Sequence, residues 1–362
     1  MLLTMNLKHY FIAITLCALY ILNLMGCKNQ QDANEKDLLT IHIEDYENKI
    51  IPRPAVISSI DTIALNTCGN FMGDIKTVCI SDSMVYVLDR ANAVWAFKFP
   101  SGDFVKRIRN VGHGNGEYVS AWAMTLGDSL LFLMDFDTKS ILAYDAVLNY
   151  KSSFRYGFPA MDFIKVKDGF LFLNLLATEK LHRIVHTNNL GEVQQSYLPF
   201  KMSLDMIYNE TSFVRDKNGK VYIFPPFSNE IYRWTSGGPK PAFRTDFGRN
   251  TAKDNVKSSY DITESERAFN TGFFIVDHHI INNFYHSGKT YYSFYNMKNG
   301  RQHQGYADTT EVIPFAPRWQ SSNGLIGYIL TNDYDKWKPQ KDSCDCLLYT
   351  SPEPTRQEAI SY

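Results

Sequence analysis

From residue 70 onward the chain alternates short apolar runs with turn residues, and the same order of runs recurs. Ser83–Asp89 (SMVYVLD) is followed by Ala93–Phe97 and Gly102–Val105. Asp128–Leu133 is followed by Ser140–Tyr144, Asp168–Leu173 by Leu181–Val185, and Asn218–Phe224 by Glu230–Trp234. Weaker copies are His279–Tyr285 with Thr290–Tyr295, and Asn323–Leu330. The runs are short, rich in aromatic and β-branched residues, and bounded by Gly, Asp, Asn and Ser, so they predict strands. Several, such as Leu130–Met134 (LLFLM), are apolar at every position, which predicts burial on both faces.

The copies recur at roughly 40–60 residues, the scale of a four-stranded propeller blade. A single blade is too small to bury both faces, whereas blades stacked around an axis bury each other. Two β-sandwiches would instead place strands about 8–12 residues apart without a longer period. The expected fold is therefore all-β, a six-bladed β-propeller of four-stranded blades occupying residues 39–345. Blade one starts near Gly73, which leaves the strand-like Ser59–Leu65 over. That strand is expected to close the ring by pairing with the last blade near Leu325–Leu330, removing the open edges. The last blade is expected to be incomplete. The polar stretch Gly248–Phe269 interrupts the repeat, and Thr263-Glu-Ser-Glu266 has the form of a capping box, predicting a short helix through about Phe269.

The ends of the chain read differently. Lys8 and His9 precede an apolar run, Tyr10–Leu24, too short for an ordinary spanning helix. It ends in Leu24-Met25-Gly26-Cys27, which resembles the lipobox of bacterial lipoproteins and implies cleavage after residue 26 and a lipid on Cys27. Residues 1–26 are read as a signal peptide and 27–38 as a polar, flexible tether. At the other end, Cys346–Arg356 (CLLYTSPEPTR) resembles translated sequencing-adapter DNA. Residues 346–362 are therefore expected to be foreign and the natural end missing. Of the six cysteines, Cys68 and Cys79 lie in the propeller repeat. An oxidising compartment would permit a disulfide between them, but the apolar strand around Cys79 favours two free thiols.

The segment Phe104–Tyr118 (FVKRIRNVGHGNGEY) resembles the G-x-G-P-G-E-Y/F segment of six-bladed propeller lipoproteins of Bacteroides-type bacteria, akin to NHL and TolB-like propellers. Ile60–Leu65, Gly73–Lys76 and Gly288–Gly300 resemble them too, with Asn115 in place of the usual Pro. The resemblance implies the fold and a cell-envelope setting, and no particular reaction.

The candidate chemistry is sparse. Net charge is -1, from 37 basic and 38 acidic residues, which gives no nucleic-acid footprint. Gly112, Gly114 and Gly116 lack the context of a nucleotide loop and read as a structural crossing between blades, with Glu117 accepting from freed backbone N–H groups. Asp277-His278-His279 and His286 suggest a metal cluster, but adjacent strand residues face opposite ways, so no metal site is assigned. In a propeller, the loops from outer to inner strands and those between the two middle strands share one face. That face would gather Asp89, Arg90, His113, Glu117, Tyr118, Asp137, Asn229, His286, Arg318 and Trp319 as candidate ligand-binding residues.

Two functions fit such a face. The favoured one is a non-catalytic binding or assembly module without a cofactor, lipid-anchored in the cell envelope at the outer membrane, with an envelope protein or glycan as partner. The alternative is a calcium- or zinc-assisted hydrolase or lyase acting on a glycan or lactone. If Cys27 carries the lipid, Cys27→Ala should release the protein from membranes or leave its leader uncleaved. Membrane fractionation with mass analysis checks this, and unchanged retention with normal processing would contradict it.

Overall fold

The computed structural model describes residues 38–175, 181–200, 212–252, 266–307, 317–322, 324–329 and, as a backbone strand, 345–352. The signal peptide, Cys27 and most of the tether lie outside these residues. The chain is an all-β propeller of four-stranded blades. Five blades each use four consecutive antiparallel strands in meander order. They are β4 (Ile75–Ile80), β5 (Met84–Asp89), β6 (Val94–Lys98) and β7 (Phe104–Ile108); then β8 (Ala121–Gly127), β9 (Leu130–Asp135), β10 (Ser140–Tyr144) and β11 (Tyr150–Arg155); then β12 (Ala160–Val166), β13 (Gly169–Asn174), β14 (Ile184–Thr187) and β15 (Val193–Tyr197). The next two are β16 (Phe213–Arg215), β17 (Val221–Ile223), β18 (Glu230–Thr235) and β19 (Gly238–Asp246), and β20 (Phe269–Val276), β21 (His279–His286), β22 (Lys289–Asn296) and β23 (Gln302–Ala307). A further sheet is composite, with β24 (Trp319–Gln320), β25 (Leu325–Ile329), β26 (Asp345–Pro352) and the early strand β3 (Ile57–Leu65) in that order. The inner strands β4, β8, β12, β16, β20 and β24 adjoin in turn, and β24 adjoins β4.

The doubly apolar strands explain the packing. In β5, Met84, Tyr86 and Leu88 enter one core with Leu131 and Leu133 of β9, while Val85 and Val87 enter another with Ile63, Leu65, Trp319 and Ile326. In β9, Phe132 and Met134 face Phe170 and Phe172 of β13. In β13, Leu171 and Leu173 join Phe213, Val221 and Ile223. Period-two alternation thus divides each middle strand between two cores, and each large side chain so buried is worth roughly 1.5–3 kcal/mol.

Closure differs from expectation in one respect. Ser59–Leu65 does join the last sheet, but it pairs with β26, which stands between it and Leu325–Ile329. Asp345–Pro352 thus fills the position that the sequence left vacant, because two facing strand edges there accept a strand of that length. The helix expected through Phe269 is not formed where it can be followed. Residues 263–265 lie outside the described residues, Ala268 bridges Thr251, and Phe269 opens β20. Cys68 and Cys79 are free thiols.

The sequence did not foreshadow the path of the N-terminal segment. Before β3, the chain forms β1 (Leu39–His42), whose residues from Thr40 on belong to the same unit as the blades, and β2 (Ile50–Ile51). β1 extends the outer edge of β19, and β2 pairs in parallel with β23. One short strap therefore covers the outer edges of two successive blades before entering the composite sheet. Its own Ile41, Ile43 and Tyr46 are buried against the blades, and the Tyr46 hydroxyl meets His286 Nδ1 at 3.1 Å and accepts from Asn250 Nδ2 at 3.0 Å. Gly305 makes room for the strap. Its φ is +147°, and a Cβ there would strike the Lys49 carbonyl, which accepts from Tyr306 N at 2.9 Å. Gly305→Val is therefore expected to cost about 1–3 kcal/mol through strain and to make residues 38–56 protease-sensitive. Thermal unfolding with limited proteolysis checks this, and an unchanged profile would contradict it.

Candidate functional site

The inner strands enclose a cavity of about 640 Å³ along the ring axis. Its wall carries Lys76, Cys79, Arg90, Trp122, Met161, Asp162, Arg215, Trp319 and Gln320 among apolar residues. A repeated backbone irregularity positions the key side chains. In β4, Ile75 pairs with Asp89 and Thr77 with Leu88, leaving Lys76 as the extra residue of a β-bulge. The same bulge makes Trp122 the extra residue in β8, Met161 in β12 and Thr271 in β20. A bulge re-aims its side chain, and here it turns Lys76, Trp122 and Met161 toward the channel at the end nearest the turn between β5 and β6.

These residues also tie each blade to the next. Lys76 Nζ donates to the Ala121 carbonyl at 2.9 Å and lies 3.9 Å from the Trp122 ring centroid, a cation–π geometry. Trp122 Nε1 donates to the Met161 carbonyl at 2.9 Å, and Asp162 accepts from Ser212 N at 2.6 Å. Farther along, Gln320 accepts from Ile275 N at 2.8 Å and donates to the Arg215 carbonyl at 2.9 Å, linking three blades. The Arg215 guanidinium in turn donates to the Lys165 carbonyl.

The electrostatics follow from confinement. Burial, reinforced by the nearby Arg90 guanidinium, lowers the Lys76 pKa to about 8. Burial pushes the Cys79 thiol up to about 12, with Asp162 adding to the effect, so this thiol is inert at neutral pH. Burial also lowers the Arg215 pKa. A second, larger hollow of about 1150 Å³ shares Leu126 and Arg215 with the channel wall. It is bounded by the first turns of the blades, including Asp128 and Asp168, by Lys165 of β12, and by Trp234.

Of the residues expected on the loop-rich face, only Arg90 and Trp319 line the channel cavity. His113, Glu117 and Asp137 are exposed on their loops, and Asn229 is half-buried with its carbonyl accepting from Thr245 N. Arg318 lies with its guanidinium 5.0 Å from the Tyr328 ring centroid. Four residues do not present their side chains as expected. Asp89 is buried because its carboxylate accepts from Gly73 N, Ala93 N and Trp95 Nε1, at 3.2, 2.8 and 2.9 Å. Tyr118 is buried in the first inter-blade core, its hydroxyl donating to the Asn92 carbonyl at 2.8 Å. His286 is buried against Tyr46 of the strap, and Trp319 packs its ring into the closure core.

The glycine loop is tied as expected, with Glu117 Oε2 accepting from Gly114 N at 2.8 Å. Among its three glycines only Gly116 has a positive φ, +77°, with the Tyr150 ring packed against it, while Gly112 lies against the Glu117 carboxylate. Of the three, Gly116 is therefore the position where a side chain would be strained. His279 Nε2 pairs with Asn296 Nδ2 at 3.0 Å, while His278 lies in the preceding turn and His286 is under the strap. Among the described residues no group of three or more His, Cys, Asp or Glu side chains is placed to hold a metal ion. Sequence reasoning missed Lys76, Trp122 and Met161. The available signal was a bulky or charged residue directly after the first apolar residue of β4, β8 and β12.

The profile of a domain of unknown function, DUF4934, matches residues 38–358. Among curated proteins none matches the chain. A Bacteroides fragilis protein named as exported has a similar structure, with a TM-score of 0.69 at 14% identity over 87% of this chain and 100% of that one. A Bacteroides vulgatus member of the DUF4221 family gives 0.52 at 11% identity, over 83% and 99%. At these identities the likeness concerns the fold. Among the described residues no helix is long and apolar enough to cross a membrane.

The Asp89 geometry separates structural from surface roles. Asp89→Ala leaves three donors without their acceptor and should cost about 3 kcal/mol, whereas Arg90→Ala on the adjacent exposed position should cost under about 0.5 kcal/mol. Urea unfolding of both variants checks this, and equal losses would contradict it.

Proposed function

The chain belongs to the DUF4934 family, and we propose that it is a non-catalytic ligand- or protein-binding module of a bacterial cell envelope. In this reading the composite sheet counts as a blade, giving a six-bladed ring, and a lipid on Cys27 holds the ring at the outer membrane. The lipobox-like Leu24–Cys27 and the apolar leader support the anchor. The observation that carries the binding reading is the row of bulges that turns Lys76, Trp122 and Met161 into one confined cavity. A mixed wall of aromatic and charged groups around a concave site suits recognition.

The acidic groups of the wall favour binding over catalysis. Asp162 accepts from Phe163 N and Ser212 N, and Asp216 accepts from Asn218 N and Lys220 N. These carboxylates are engaged in holding backbone N–H groups of their own and neighbouring segments, a structural role.

The test is to pass solubilised envelope glycans and peptides over the immobilised protein and over Met161→Trp, which fills the channel from within. The wild type should retain components that the variant loses, with the variant's thermal unfolding within a few degrees of wild type. Identical retained sets, or none on either, would contradict the reading.

A further inference from the structure

The channel mouth has a rim whose composition narrows the ligand. The β5–β6 turn, Arg90–Asn92, is its centre. On one side lies Gly73, packed against Ala91 and bonded through its N–H to Asp89, with Phe71 two residues before it. On the other side Arg109 Nε donates to the Ala91 carbonyl at 3.0 Å, and the Tyr118 hydroxyl donates to the Asn92 carbonyl. Val111 bridges Tyr118 there. Phe71 is 84% exposed and Val111 55%, so the segments that flank this turn carry two large apolar side chains in water as well as the exposed cations Arg90 and Arg109. Inside the mouth is the Lys76 ammonium, with donors beyond the one used on Ala121.

We propose that this mouth docks an acidic peptide segment of a partner protein. A carboxylate side chain enters between Lys76 and Arg90 over the Trp122 ring, and neighbouring apolar residues of the peptide cover Phe71 and Val111. The inference rests on the binding reading above and adds the chemistry of the partner. Charge complementarity selects the carboxylate, because the half-buried Lys76 and the exposed Arg90 lie close enough to repel and a single anion between them relieves that repulsion. The exposed apolar pair selects a peptide, since a sugar ring can stack on Phe71 alone but apolar peptide side chains cover Phe71 and the aliphatic Val111 together, and exposed apolar surface with a charged rim is typical of protein contacts.

A pH dependence follows. The charged groups sharing the cavity with Lys76 are Arg90 on the β5–β6 turn, Asp162 on β12, and Arg215 and Asp216 at the end of β16; Cys79 on β4 stays protonated. Affinity is full while both partners are charged, between the ordinary carboxylate pKa of about 4 and about pH 8, and falls above that window as Lys76 loses its proton.

The experiment uses the soluble chain lacking its leader and a degenerate library of synthetic heptapeptides, with bound sequences read by mass spectrometry. Asp or Glu next to Leu or Phe should be enriched. The leading peptide, resynthesised, should bind at least about tenfold more weakly to Arg90→Gln or Lys76→Gln, the loss of one charge-assisted contact. It should bind more weakly to Phe71→Ser, and weakly to wild type when its acids are replaced by amides. Arg90 and Phe71 are exposed, so their variants keep the test valid if Lys76→Gln fails to fold. No enriched sequence, equal binding of the amide peptide, or unchanged binding to Arg90→Gln would overturn the proposal. Oligogalacturonate, run in parallel, separates the two levels. If it binds, loses affinity in Arg90→Gln and no peptide is retained, the peptide partner is refuted while the channel reading stands.

Discussion

Every blade of this protein is apolar on both faces, and that constraint organises the rest. A sheet such as β4–β7 sends Met84, Tyr86 and Leu88 one way and Val85 and Val87 the other, so it needs a neighbour on each side. A row of such sheets would end in two exposed apolar faces. Bending the row into a ring removes both ends at once. The closing core, where Val85, Val87 and Trp95 meet Ile63, Leu65, Trp319 and Ile326, joins residues from both ends of the propeller. The edges that remain face outward, and the Leu39–Ile51 strap covers two of them.

The channel is a by-product of that closure, and its chemistry comes from how the inner strands begin. A strand entering from the outer edge must turn sharply to run down the axis, and a bulge supplies the extra twist. The residue displaced by the bulge has no strand partner and points into the space the ring encloses. Three of the displaced residues, a lysine, a tryptophan and a methionine, therefore meet in one cavity although they are distant in sequence. Lys76 and Trp122 also bond to the next blade, so site geometry and blade docking are coupled.

Much of the fold was legible because it rests on local signals. Turn residues bound the strands, and runs such as Leu130–Met134 announce two buried faces. The role of Ser59–Leu65 followed from its being left over. The strap was not legible, since Ile50–Ile51 is too short to show a period and its partner β23 lies about 250 residues away. The site was legible only in part. Asp89 and Tyr118 have the residue types of a binding face, yet the nearest unpaired backbone donors and carbonyls claim their polar atoms. Arg90, next to Asp89, has no such claim in its turn and reaches the channel. Lys76 and Trp122 were hidden because a bulge is a change in backbone register that alternation does not reveal.

Bulged side chains meet in a confined, electropositive channel mouth. The titration of Lys76 tests it most directly. Reductive methylation with carbon-13 formaldehyde, assigned with Lys76→Gln, lets NMR follow that amine alone. The midpoint should lie near pH 8 and move upward in Arg90→Gln, since burial and Arg90 together hold the pKa down. A midpoint near 10.5, the value of a solvated lysine, and unmoved by Arg90→Gln would contradict it.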